Sequence, residues 1–205
     1  ALIGNTYFNF LGMLRLLNLF FYGAETLQVD ETKIGLLNVA LALGIGLGSV
    51  AAGYLSGGKI EYGLVPLGAF GLSICAALLA LPCVSTHASY GLLALLGFSG
   101  GFFIVPIAAL LQHKPARENK GQVQATANWC SFVGVFLASG AHWLFAQKLQ
   151  LTPREIFLAG GVMTFFGGIY AVYLLPDSLL RFVMWCLTHS FYRIRVIGRD
   201  HIPAK

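Results

Sequence analysis

Charge is what this sequence lacks. Lysine, arginine, aspartate and glutamate make up 10% of its 205 residues, against 57% that are hydrophobic. A water-soluble domain is nearer a quarter charged, and a chain of this size cannot clothe its surface in water with so few charges. The solvent that suits the composition is a lipid bilayer. Cysteine is sparse as well. Cys75, Cys83, Cys130 and Cys186 are scattered in or beside apolar runs, with no C-x-x-C pair and no histidine at zinc-ligand spacing. That pattern excludes a zinc-finger module and leaves the thiols as small apolar residues. The sequence calls for no cofactor, no metal and no nucleic-acid partner. It shows no cleavable signal peptide. It begins without methionine and stops just after an Ile-Pro pair, so it reads as a piece of a longer protein.

What the chain has in quantity is long apolar runs. Six are about long enough to cross a bilayer as helices: Ile3–Ala24, Ile34–Leu55, Leu64–Pro82, Tyr90–Leu111, Val123–Phe145 and Ile156–Leu175. Helices are required because hydrocarbon offers no partner to an open backbone group. Basic residues are unevenly divided between the connections. Lys59, Lys114, Arg117, Lys120 and the tail residues Arg181, Arg193, Arg195, Arg199 and Lys205 fall on one side, and Lys33, Lys148 and Arg154 on the other. Positive charge is retained in the cytoplasm, so both ends of the segment are expected there, and "HKPARENKG" (113–121) reads as a cytoplasmic turn among anionic headgroups.

Particular stretches resemble a known family. "LLGFSGGFFIVPIAALLQ" (95–112) is similar to the tenth helix of bacterial lysophospholipid transporters, and "GIGLGSV" (44–50) and "FLGMLRLL" (10–17) fit the same family. "AAGYLSGGKIEYGLVPLG" (51–68) resembles the second, weaker copy of the major facilitator superfamily's Gly-x-x-x-Asp-Arg-x-Gly loop. On that match Gly53, Ser56, Gly57 and Lys59 form a cytoplasmic loop motif, with Ser56 where the acid would stand. The tail, "LPDSLLRFVMWCLTHSFYRIRVIGRDHIPAK" (175–205), resembles the stretch leading into a glycerolipid acyltransferase domain, without that enzyme's His-x-x-x-x-Asp signature.

The resemblance implies a fold class: an all-α membrane protein whose six transmembrane helices are the C-terminal half of a twelve-helix major facilitator fold, with residues 1–175 as the transporter half. Residues 176–205 would start an acyltransferase domain. There Pro176 ends the last span, Ser178 caps an amphipathic helix over Leu179–Phe191 on the cytoplasmic surface, and "YRIRVIG" (192–198) alternates as a short strand does. Implied partners are a lysophospholipid substrate, membrane lipids, a missing N-terminal transporter half and a downstream acyltransferase domain.

Candidate site residues are the polar ones inside the runs. Arg15 lies near the middle of the first, where an arginine costs on the order of 2.5–3.5 kcal/mol on insertion scales. Its guanidinium suits a headgroup phosphate. It equally suits an ion pair with a carboxylate of the missing half, or snorkelling to an interface. The resemblance favours the phosphate, since an arginine recurs in this span. Asn5 and Asn9 share one helical face, as do Gln124 and Asn128, and Asn38 sits early in the second run. Each is a substrate contact or an interhelical hydrogen bond, the latter worth about 0.6 kcal/mol on average. Gly44 with Gly48, and Gly97 with Gly101, make G-x-x-x-G pairs that let helix backbones approach, with Gly46 adding a further small residue. "GIGLG" lacks the preceding strand and the lysine of a nucleotide loop. Pro106 removes a backbone donor within the fourth run, so a kink is expected, and with Gly100 and Gly101 it makes a candidate conformational hinge.

The function these residues suggest is flipping of a lysophospholipid, lysophosphatidylethanolamine or a relative, from outer to inner leaflet for re-acylation, with no enzymatic role for this segment. The alternatives are a superfamily transporter of another small solute, or a membrane anchor for the acyltransferase.

Overall fold

The computed structural model describes residues 1–57 and 60–174. They form six α-helices: α1 (Leu2–Phe21), α2 (Glu31–Ser56), α3 (Leu64–Leu79), α4 (Thr86–His113), α5 (Lys120–Trp143) and α6 (Pro153–Leu174). Each helix covers one apolar run, and the boundaries differ where polar residues do the capping. Ser85 caps α4, its hydroxyl accepting the Ala88 N–H at 3.3 Å. Thr152 and Glu155 cap α6 reciprocally. The Thr152 N–H donates to the Glu155 carboxylate at 2.7 Å and the Glu155 N–H to the Thr152 hydroxyl at 3.4 Å, around Pro153 in the first helical position. These first turns are polar, so hydropathy alone starts the helices too late.

α1 and α5 end alike. Each widens into a π turn, Tyr22–Thr26 and Leu144–Lys148. A Leu-Gln pair follows, with Gln28 and Gln150 at φ of 50° and 53°. The next residue then donates back across the end, Val29 to Gly23 and Leu151 to Phe145, both near 3.0 Å.

Four helical stretches are long and apolar enough by themselves to cross a membrane: Glu31–Ser56, Thr86–His113, Arg117–Lys148 and Pro153–Tyr173. The other two depart from the six-span reading for different reasons. α3 is apolar but has 16 residues, about 24 Å of helix. α1 has 20 residues but is diluted by Asn5, Asn9, Arg15 and Asn18.

α2 lies along α4, α4 against α3, α3 against α6, and α1 bridges α6 and α5. The α2–α4 contact is backbone on backbone. A Cβ on Gly44 would overlap the Ala94 carbonyl, one on Gly48 the Phe98 carbonyl and one on Gly97 the Leu41 carbonyl, while one on Gly101 would strike the Gly48 and Ser49 backbone. Gly46 faces open space and takes no part in this contact. Gly101 is thus committed to packing, whereas Gly100 has ordinary room beside Phe8 and Leu72, at 3.7 and 3.8 Å. α4 continues as helix through Pro106.

The outward faces are hydrocarbon. Phe136 on α5 is 77% exposed, and Leu47 on α2 and Phe166 on α6 are also exposed. Large aromatic side chains left open to this extent require an apolar surrounding.

The residues matched to the loop motif straddle the end of α2. Gly53 and Ser56 belong to the last turns of α2, where the Ser56 hydroxyl donates to the Ala52 carbonyl at 2.7 Å. The turn begins at Gly57, whose φ of 52° ends the helix. Lys59 and the tail features, Pro176, Ser178, the Leu179–Phe191 helix and the strand, lie outside the described residues.

Candidate functional site

The first turns of α1, the last turns of α4 and the first half of α5 meet at the end of the bundle that carries Lys114, Arg117 and Lys120. Between them is an open cavity of about 480 Å³. α1 contributes Asn5 and Asn9, α4 contributes Gln112, and α5 contributes Gln124, Asn128 and Ser131. Leu111, Phe132 and Val135 supply an apolar wall. Helical periodicity makes this surface. Gln124, Asn128 and Ser131 are four and three residues apart, hence on one face of α5, as Asn5 and Asn9 are on α1.

Hydrogen bonds divide these groups into two sets. Ser131 ties α1 to α5: its hydroxyl oxygen accepts from the Asn5 side chain at 2.8 Å and from the Asn9 side chain at 3.1 Å, and donates to the Ala127 carbonyl at 2.8 Å. Asn9 also donates to the Asn5 carbonyl, at 2.9 Å. Gln124 and Asn128 are less committed. The Gln124 amide donates to the Asn128 carbonyl oxygen at 3.3 Å. That leaves the Asn128 amide nitrogen and the Gln124 carbonyl oxygen without a partner among the described residues. One donor and one acceptor on neutral groups, beside an apolar wall, suit a polar solute of either charge or of none.

Of the expected contacts, Asn9, Gln124 and Asn128 are therefore brought together, with Asn5. Arg15 and Asn38 are not. Asn38 is on α2 and donates to its own helix, to the Ile34 carbonyl at 3.1 Å. Arg15 is 6% exposed and turns inward, its Nη2 donating to the Thr164 hydroxyl of α6 at 2.7 Å. Thr164 passes its own proton to the Gly160 carbonyl at 2.6 Å, and the Arg15 Nε has no partner among the described residues. Neighbouring side chains continue this second polar seam. Tyr7 donates to the Met163 carbonyl at 2.6 Å, Ser73 to Gly161 at 2.8 Å and Asn18 to Pro153 at 2.8 Å.

Gln112, Ser131, Tyr7 and Thr164 were not singled out from the sequence. Ser131 was within reach, being on the helical face that Gln124 and Asn128 define. Thr164 was not, because nothing in a linear pattern pairs α1 with α6.

Apolar outer faces, long apolar helices and an open cavity walled by amides together define a polytopic membrane protein with a solute-sized polar recess. The chain belongs to the Major Facilitator Superfamily, whose family model matches residues 2–180. Two relatives, both named lysophospholipid transporter LplT and from two strains of Klebsiella pneumoniae, are 33% identical to it over 138 residues. That match takes in 66% of this chain and 32% of each relative, so the chain spans about a third of the length of the curated relatives it matches. No solved structure matches it.

Proposed function

We propose that this chain is the C-terminal half of a transporter that flips a lysophospholipid, lysophosphatidylethanolamine or a close relative, from the outer to the inner leaflet of a bacterial cytoplasmic membrane, where a downstream acyltransferase domain restores the second chain. The carrying observation is the amide-lined cavity at the basic end of the bundle. It offers a donor and an acceptor to a headgroup that hydrocarbon would reject, with an apolar wall beside them. The likeness to two lysophospholipid transporters supports the choice of cargo. Both ends of the segment are taken as cytoplasmic, which puts the cavity mouth and its basic turn on the side where the product is consumed.

In this reading Gln124 and Asn128 hold the headgroup, and Asn9 with Asn5 closes the cavity between α1 and α5. Arg15 stands behind the cavity and reaches a phosphate only when its bond to Thr164 opens. Asn38 is a contact of the opposite half-cycle. Gly100 and Pro106 allow α4 to bend as access alternates, while Gly101 holds it to α2. The six apolar runs contain no Asp or Glu, and downhill flipping drawn by acylation inside is the economical mechanism.

The test uses the full-length protein in proteoliposomes with labelled lysophosphatidylethanolamine. Asn128→Ala removes about one neutral hydrogen bond, so uptake efficiency should fall roughly five- to tenfold, chiefly through KM. Uptake equal to wild type would remove the cavity from the pathway. Transport of an unrelated solute in preference to the lipid would favour another superfamily cargo.

A further inference from the structure

The face of α5 that lines the amide cavity continues past the cavity mouth. Gln124, Asn128 and Ser131 stand on it. Lys120, the first residue of α5, is four positions before Gln124 and eleven before Ser131. Eleven residues are close to three whole turns, so Lys120 shares that face. It lies about 6 Å along the helix axis beyond Gln124, at the basic end of the bundle, and it is exposed. No acid among the described residues neutralises it. The cavity lining includes no Asp or Glu. Glu118 is the only acid in the turn 113–121, and among the described residues the one ion pair joins Lys33 to Asp30. Lys114 is placed differently. It follows two positions after Gln112, the last cavity residue of α4, and so falls on the opposite side of that helix.

From this we infer that Lys120 is the anion contact of the cavity: its ammonium holds the phosphate of the headgroup whose remaining polar atoms meet Gln124 and Asn128, and it selects phosphate-bearing solutes over neutral ones. This deepens the transport reading above and rests on it. The amides by themselves accept a solute of any charge, so discrimination by charge needs a formal charge on the same face. A lysine ammonium is a compact point charge on a flexible four-carbon stem. From the rim it reaches a phosphodiester oxygen without the fixed approach that a guanidinium fork demands. The contact is exposed, so it is weak, as exposed ion pairs are, and it is screened by salt.

The experiment measures equilibrium binding of two labelled lipids with the same tail, octanoyl lysophosphatidylethanolamine and octanoylglycerol, to the full-length protein in uncharged detergent. Lys120→Gln should weaken binding of the phospholipid roughly three- to fivefold, the worth of one exposed ion pair, and leave octanoylglycerol binding unchanged. Lys120→Arg should keep the wild-type affinity, and so should Lys114→Gln. Raising the salt from about 20 to about 300 mM should weaken phospholipid binding to wild type by a similar factor and have little effect on Lys120→Gln. Unchanged affinity in Lys120→Gln, an equal loss in Lys114→Gln, or an equal loss for both lipids overturns the contact and leaves the transport reading standing. Glycerophosphoethanolamine has the phosphate and no tail, so it should displace the phospholipid only at far higher concentration. Displacement at equal concentration overturns a lipid as the bearer of the phosphate. Wild-type protein that binds neither lipid removes the transport reading, and the contact with it.

Discussion

Arg15 and Ser131 organise the two polar seams of α1, and each can be tested singly. A buried guanidinium that keeps one hydroxyl partner depends on it heavily, because hydrogen bonds to charged groups contribute about 1.5–3 kcal/mol. Thr164→Val should lower the thermal stability of the full-length protein in detergent by an amount in that range, and Thr164→Ser should restore most of it. Equal melting of the Val variant and wild type would show that Arg15 is satisfied elsewhere. Ser131 accepts from two asparagines at once, so its side chain holds α1 to α5 at the wall of the cavity. Sequence spacing placed Asn5 with Asn9, and Gln124 with Asn128, on common faces. It could not show that Ser131 joins the two faces, nor that Arg15 turns away from them. Those facts depend on how α1 is rotated against its neighbours.

Helix contacts follow the same division. The two G-x-x-x-G pairs were legible as places where backbones meet, because removing side chains matters only at close approach. That α2 and α4 meet through both pairs, with Gly46 left outside, came from their register. Gly97→Ala should destabilise the bundle by about 1–3 kcal/mol, since its Cβ meets a carbonyl oxygen that cannot retreat. Gly46→Ala should be neutral or stabilise by up to ~1 kcal/mol, the helix-propensity gain of alanine over glycine. Matching thermal-shift measurements of the two variants in detergent would decide this, and equal effects would contradict the packing described. The π turns and Leu-Gln pairs that end α1 and α5 were not read from the sequence, because glutamine is an uncommon choice for a left-handed cap.

Across the whole molecule, the distribution of lysine and arginine predicts which end of the bundle meets the cytoplasm. Cys83 is exposed in the connection from α3 to α4, at the end opposite the basic turn. In intact cells a membrane-impermeant maleimide should label Cys83, and, in a variant whose native cysteines are replaced by serine, should label Lys114→Cys only after permeabilisation; the reverse pattern would invert the topology. Composition and the spacing of apolar runs determined by themselves that the chain is a helical membrane protein with six helices near their observed places. A bilayer admits only helices and closed barrels, continuous apolar runs of about 20 residues are of helical length, and hydropathy is additive along a chain. Tertiary structure alone decided which polar residues share a cavity and which one is enclosed against α6. Those relations join residues more than a hundred positions apart. They are fixed by the rotation and register of packed helices, which no local pattern encodes.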